Sequence, residues 1–258
     1  MTRALRIVQR NAVVYRRIWR GSVFSSFLQP TLYLMALGFG VGALIDPRRA
    51  AIPGGVSYLQ FLAPGLLTAA CMQVATYESS WPVIGKITWA RNYYAMLATP
   101  IAIDDLVVGE LLWMAIRLTT VGTAFLLVAA SFGVMPIAAA TLLAVPLAVL
   151  TGLAFSAPIL AYAATLKTGE NFNILFRLII TPLFMFSGVF FPIDRLPLPV
   201  QGIAKASPLY HGVQLVRGLT VGDPAEAAVA LMHVTYLVVL LMAGFVAALY
   251  TFRRKLQA

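Results

Sequence analysis

Six runs of apolar residues, each about twenty residues long and divided by short polar stretches, constrain this chain more than anything else in it. Twenty residues of α-helix rise ~30 Å, the thickness of the hydrocarbon core of a bilayer. The runs fall at approximately 23–45, 59–79, 106–132, 137–166, 174–191 and 228–252. Backbone N–H and C=O groups find no water in hydrocarbon, so each run must close its hydrogen bonds within itself, as a helix. The sequence therefore predicts an all-α, polytopic membrane protein with six transmembrane helices, forming one domain over residues 1–258. Composition agrees, with 60% of residues hydrophobic and only 11% charged, against roughly 25% charged in soluble domains. A soluble fold of this length would lack the polar surface to cover its core.

Charge then orients the spans. Twelve of the nineteen Lys and Arg residues fall on the side of the two termini: six in the N-terminal segment, then Lys86, Arg91, Lys167, Arg253, Arg254 and Lys255. Five fall on the other side, namely Arg48, Arg49, Arg195, Lys205 and Arg217, while Arg117 and Arg177 lie within spans. Basic residues collect on the cytoplasmic side, so both termini are expected there. The formal net charge of +10 is thus explained by topology, and nucleic acid is not an expected partner, since the cations flank apolar runs instead of forming a soluble basic face. The first apolar run follows a basic segment without a small-residue cleavage site, and reads as an uncleaved span.

Several chemistries find no support. The single cysteine, Cys71, lies inside an apolar run and cannot form an intrachain disulfide. The sequence holds no Cys/His cluster for a metal and no nucleophile constellation. A phosphate-cradling loop needs Gly-x-x-x-x-Gly-Lys-Ser/Thr. The nearest approach, Gly85-Lys86-Ile87, has Ser80 in place of the first glycine and Ile87 in place of the hydroxyl. No cofactor is therefore expected in this chain, and energy from ATP would have to come from a partner.

Three groups of residues invite functional roles. Residues 1–21 form an amphipathic interfacial helix, with Arg3, Arg6, Arg10 and Arg17 in one sector and Leu5, Val8, Ala12, Tyr15 and Trp19 opposite, suited to membrane lipid. The loop 80–105 between the second and third runs, read as one helix, places Trp89, Tyr93, Met96 and Leu97 on a common face with Arg91 opposite and Pro100 as its stop. Such a face can dock into a partner's groove or lie on the bilayer. Asp104 and Asp105 follow, where carboxylates satisfy the first amides of the next helix. Within the spans, Arg117 sits about 10 Å into the apolar part of its run by helical rise. A buried arginine needs a protein or water partner. Glu110 or Glu78 could supply one, or Arg117 could snorkel to the cytoplasm. His233 and His211 read as packing or structural residues. Pro30, Pro146, Pro158 and Pro182 interrupt spans, which demands neighbouring helices to repair lost backbone bonds. Gly38 and Gly42 offer a small-xxx-small contact.

The stretch Thr88-Trp89-Ala90-Arg91-Asn92-Tyr93-Tyr94-Ala95-Met96-Leu97-Ala98-Thr99-Pro100, with Asp104-Asp105-Leu106-Val107-Val108-Gly109-Glu110 after it, resembles the ABC-2 type transporter permeases. The likeness is nearest to the branch of nodulation-factor, or lipo-oligosaccharide, exporters. A second match follows the fifth run: Ser187-Gly188-Val189-Phe190-Phe191-Pro192, Leu196-Pro197, Ser207-Pro208-Leu209-Tyr210-His211-Gly212 and Arg217-Gly218. The resemblance implies a type V exporter transmembrane domain in the inner (plasma) membrane. It implies a coupling helix over 86–100 seated on an ABC ATPase subunit, which binds the ATP and Mg, and an N-terminal helix that also touches that subunit. It further implies short re-entrant helices within an external loop 192–227, and a homodimer of permeases working with two ATPases. The cargo implied is a lipo-oligosaccharide or glycolipid, or in relatives of the same fold a drug or antibiotic. An ion-driven carrier would favour acidic residues deep in the spans, which this sequence lacks.

Overall fold

Apolar segments that cannot share hydrogen bonds with lipid fold as helices. The computed structural model of the chain, which describes residues 3–42, 56–221 and 226–257, is helical without a strand among those residues. Helix α1 spans Arg3–Met35 and continues as a π-helical stretch, Ala36–Gly42. After it come α2 (Tyr58–Glu78), α3 (Trp81–Thr88), α4 (Asn92–Leu97), α5 (Ile103–Ser131) and α6 (Ala139–Thr165). A broken helix follows: α7 (Asn171–Leu175), a π turn (Phe176–Ile180) and α8 (Thr181–Phe186). The chain then forms a 3-10 turn (Ile193–Arg195), α9 (Leu198–Lys205), α10 (Pro208–Val221) and α11 (Ala227–Leu256).

Among the described residues, four helical segments are long and apolar enough to cross a membrane: Tyr58–Thr88, Ile103–Ser131, Ala139–Thr165 and Ala227–Leu256. They correspond to the second, third, fourth and sixth runs. The fifth run differs from expectation. Its apolar helix covers only Asn171–Phe186, and it stops there because Gly188 adopts φ +81, a left-handed conformation incompatible with a continuing helix. Pro182 sits in the first turn of α8, directly after the π turn. There its missing N–H and bulky ring are absorbed by the locally widened backbone. The first run is also different. Helix α1 is unbroken from Arg3 to Met35, so residues 3–21 of the basic segment and the start of the run 23–45 are one rod. Residues 43–45 of that run, with Arg48 and Arg49, lie outside the described residues.

Helix α6 is the axis of the bundle and packs against α2, α5, α10 and α11. Its buried residues are mostly small, including Ala144, Ala148, Gly152, Ala157 and Ala161, which lets neighbouring backbones approach. The closest approach to α11 is at Gly244, where an added Cβ would lie 2.5 Å from Cδ of Pro158. Between α1 and α5 the corresponding position is Gly109, whose Cβ would lie 2.7 Å from Cβ of Ile7 and 2.9 Å from the carbonyl oxygen of Ala4. The expected Gly38 contact is looser: a Cβ there meets only the flexible end of Leu59.

Helix α10 does not lie on the surface. It packs between α2 and α6, with Gly212 directly against Thr151 and Thr68. Thr151 is twelve residues into α6, ~18 Å along its axis by helical rise, so α10 reaches the middle of the bundle. The second motif holds it there. Ser207 Oγ accepts from the Leu209 amide (3.2 Å) and from Ser187 Oγ (2.8 Å). The Arg217 guanidinium donates to the carbonyls of Gly188 (2.9 Å) and Phe61 (3.2 Å) and stacks 3.8 Å above the Phe61 ring.

Candidate functional site

At the opposite end of the bundle from Arg217, five segments meet: the start of α1, the α3–α4 loop, the start of α5, the end of α6 and the end of α11. The loop is not the single helix expected. Helix α3 ends at Thr88, and Arg91 adopts φ 49, a left-handed conformation that costs a non-glycine residue about 1 kcal/mol. That turn resets the helical phase before α4 begins. Tyr93, Met96 and Leu97 still share one face of α4, which is turned inward, and only Trp89 is separated from it. Trp89 projects from the turn and is 74% exposed, whereas Tyr93 is fully buried. Met96 and Leu97 are half-buried against the core. The solvent-facing surface is formed instead by Trp89, Ala90, Arg91, Tyr94 and Ala95, with Pro100 exposed beyond it.

Tyr93 is the pin of the loop. Its ring packs 5.9 Å from that of Phe252 in α11 and lies 5.7 Å from the Lys86 ammonium. Lys86 in turn donates to both carboxylate oxygens of Glu110 in α5, at 2.9 and 2.8 Å. Burial, and secondarily the Glu110 carboxylate, push the Tyr93 phenol well above its ordinary pKa, so the ring stays neutral. Further ties surround the pin. The Tyr94 hydroxyl donates to the Lys255 carbonyl (3.4 Å), and Lys255 Nζ donates to the Leu166 carbonyl at the end of α6 (3.1 Å). Arg253 bridges to Asp104 at 2.7 Å, an exposed pair that contributes little alone. Asp105 accepts from the Ala102 amide at 3.0 Å, closing the first turn of α5 as expected.

The N-terminal helix joins the same assembly through a sector beside the apolar one that the sequence assigns to the membrane. Ala4, Ile7 and Asn11 are buried, while Leu5 and Trp19 are exposed. The glycine at position 109 leaves a gap on α5 into which α1 settles, and Ile7 fills it. Arg3, Arg6 and Arg17 are exposed and Arg10 half-buried. Arg6 and Arg10 line an open groove of about 340 Å3 whose other wall includes Asn92, Met96 and Thr99 of the loop.

Two turns further along α5 than Glu110, Arg117 is held by protein instead of reaching for water. It donates from Nε (3.1 Å) and Nη2 (2.9 Å) to Oε1 of Glu78 and from Nη1 to the Tyr15 hydroxyl (2.8 Å). The guanidinium carbon lies 4.4 Å from the Tyr15 ring centroid. Arg117 thereby joins α1, α2 and α5, and Glu110 is left to Lys86. At the far end, His211 and His233 form a pair: their Nδ1 atoms lie 2.6 Å apart, so one imidazole donates and the other accepts. His211 also stacks on Tyr236 at 4.0 Å. Sequence reading gave each histidine a structural part but not this partnership, because the two sit on different helices. Cys71 is buried and free, and no cluster of three metal-ligating side chains occurs among the described residues.

Comparison with known proteins matches residues 2–221 to the profile of the ABC-2 type transporter family. Nodulation protein J of Rhizobium leguminosarum bv. viciae is 32% identical over 253 residues, covering 98% of this chain and 95% of that protein. The protein of the same name from Bradyrhizobium diazoefficiens is 31% identical over 248 residues, with 96% and 92% covered. The inner membrane transport permease YadH of Escherichia coli is 26% identical over 198 residues, with 76% and 74% covered.

Proposed function

Because the chain belongs to the ABC-2 type transporter family, we propose that it exports a lipid-like or amphipathic compound, driven by ATP hydrolysed on a separate subunit. As a member of that family it is a multi-pass membrane protein and the permease component of an ABC transporter, a component that is not itself catalytic. Such permeases normally work with an ABC ATPase. The proposal adds six spans, both termini in the cytoplasm, a homodimeric permease, and an ATPase docked where the loop turn and the N-terminal arginines meet. A lipo-oligosaccharide or related glycolipid is the proposed cargo, from the likeness to the nodulation branch.

The observation that carries this reading is the way the exposed turn at Trp89–Arg91 is wired into the spans. A force applied to that turn passes through Tyr93 to α11, through Lys86 and Glu110 to α5, and through Lys255 to α6. A loop that merely lay on the bilayer would not need a buried tyrosine and a desolvated ion pair beneath it. An ATPase pushing on Trp89 and Arg91 would instead move three spans together.

Trp89→Ala combined with Arg91→Gly tests the docking without disturbing the fold. Trp89 is exposed, and glycine is the residue best suited to the left-handed position. Truncating an aromatic anchor commonly costs 2 kcal/mol or more of binding, so ATPase association should weaken about thirtyfold and export in vesicles should fall with it. Tyr93→Ala should behave differently and reduce the yield of folded permease. A Trp89→Ala/Arg91→Gly protein that binds its ATPase fully and exports normally would remove the turn from the coupling path.

A further inference from the structure

We propose that the groove between α1 and α5 binds an anionic phospholipid from the leaflet in which the N-terminal helix lies. The groove is open and has a volume of about 470 Å3. Tyr15 and Arg117 form its back, Trp19, Trp113 and Ile116 its sides, and Arg16 its rim. Its polar groups divide sharply. Those at the back are already engaged, since Arg117 is bound to Glu78 and Tyr15. The Thr120 hydroxyl donates to the Ile116 carbonyl at 3.0 Å. The exposed Arg16 guanidinium and the indole N–H groups of Trp19 and Trp113 have no hydrogen-bond or ion-pair partner among the described residues.

That pattern is amphipathic in the sense of a lipid. A cationic rim with two free indole donors suits a phosphate and its ester oxygens, and the apolar sides beneath it suit an acyl chain. Trp19 and Ile116, which line the groove, are 46% and 49% exposed, surface that hydrocarbon would cover. A soluble anion would leave the apolar sides bare. A zwitterionic lipid would leave Arg16 without a net counter-charge, on a helix that already carries Arg3, Arg6, Arg10 and Arg17. The assignment to a leaflet rests on the proposed orientation, whereas the lipid preference does not.

The test is native mass spectrometry of the full chain in detergent, titrated with phosphatidylglycerol or with phosphatidylcholine of the same acyl chains. One basic residue near a lipid phosphate contributes enough for about a fivefold preference. The wild type should therefore hold phosphatidylglycerol about fivefold more tightly. Arg16→Gln should erase that difference and keep the phosphatidylcholine binding, while Arg254→Gln, exposed near the end of α11, should preserve it. Thr120→Trp, which fills the groove, should weaken both lipids. Equal binding of the two lipids by the wild type, or a preference that survives Arg16→Gln, would overturn the site. So would displacement of phosphatidylglycerol by an equal concentration of inorganic phosphate, which would make it a free-anion site. Cysteine labelling of the C-terminus reads the orientation independently, so the two claims can fail separately.

Discussion

Arg117 shows how much a single side chain can ask of its surroundings. Its side chain is 9% exposed and that of Glu78 26%, so the pair lies largely out of water. Removing one partner of a buried pair strands the other and costs about 3–5 kcal/mol, whereas replacing both by apolar residues is often nearly neutral. Arg117→Met should therefore lower the thermal stability of the purified permease markedly, and Arg117→Met with Glu78→Leu should recover most of the loss. If Arg117→Met alone matches the wild type in a melting experiment, the pair is incidental. The sequence named Glu78, Glu110 and Arg117 as a set but could not assign partners, because Lys86, which takes Glu110, was read only as part of the loop. Trp89 was misplaced for a different reason. A helical wheel assumes continuous phase, and the left-handed turn at Arg91 breaks it by a rule that nothing in an arginine's identity announces. The His211–His233 pair was beyond reach, since twenty-two residues and two helices separate its members.

Among the elements, the long apolar helices were the most legible, since length and hydropathy alone require α2, α5, α6 and α11. Helix boundaries failed where backbone geometry decided them, at the π turn before Pro182 and at Gly188. The N-terminal helix was legible as amphipathic, but its contact with α5 was not. Distance from the arginines marked Leu5, Val8, Ala12, Tyr15 and Trp19 as the side for the membrane; Tyr15 of that sector bonds to Arg117, and Ala4 and Ile7 beside it meet Gly109. Gly109 had been seen only as part of a motif, and its use is steric: it lets Ile7 and the Ala4 carbonyl reach the α5 backbone. Gly109→Leu should lift α1 away, at the 1–3 kcal/mol typical of overpacking. Trypsin should then cut faster at Arg6 and Arg10 in the purified permease. Gly202→Ala in α9, where a Cβ would meet nothing within 4 Å, should leave both stability and proteolysis unchanged. Equal trypsin rates for Gly109→Leu and the wild type would mean that α1 is held by something other than this contact.

For the molecule as a whole, the decisive question is which end faces the cytoplasm, and the structure sharpens it to a single choice. The start of α1 lies against Gly109 at the beginning of α5, and the end of α11 lies over Tyr93 in the loop. Both termini are thus at one end of the bundle, together with Lys86, Arg91 and Arg253. Arg217 and the α9–α10 return occupy the other end, tied to Phe61 at the beginning of α2. The lateral distribution of charge is consequently not a property of loops taken one by one. It separates the two ends of a packed body, and the basic-rich end should stay inside. Single cysteines can read this directly, because the native Cys71 is fully buried and will not compete for reagent. Leu198→Cys, at a position 81% exposed in α9, should react with a membrane-impermeant maleimide in intact cells. Gln257→Cys should react only after the membrane is opened. Reaction of position 257 from outside, with position 198 protected, would turn the bundle over. The exposed turn at Trp89 would then face away from any source of ATP, and the coupling path through Tyr93 would have nothing to drive it.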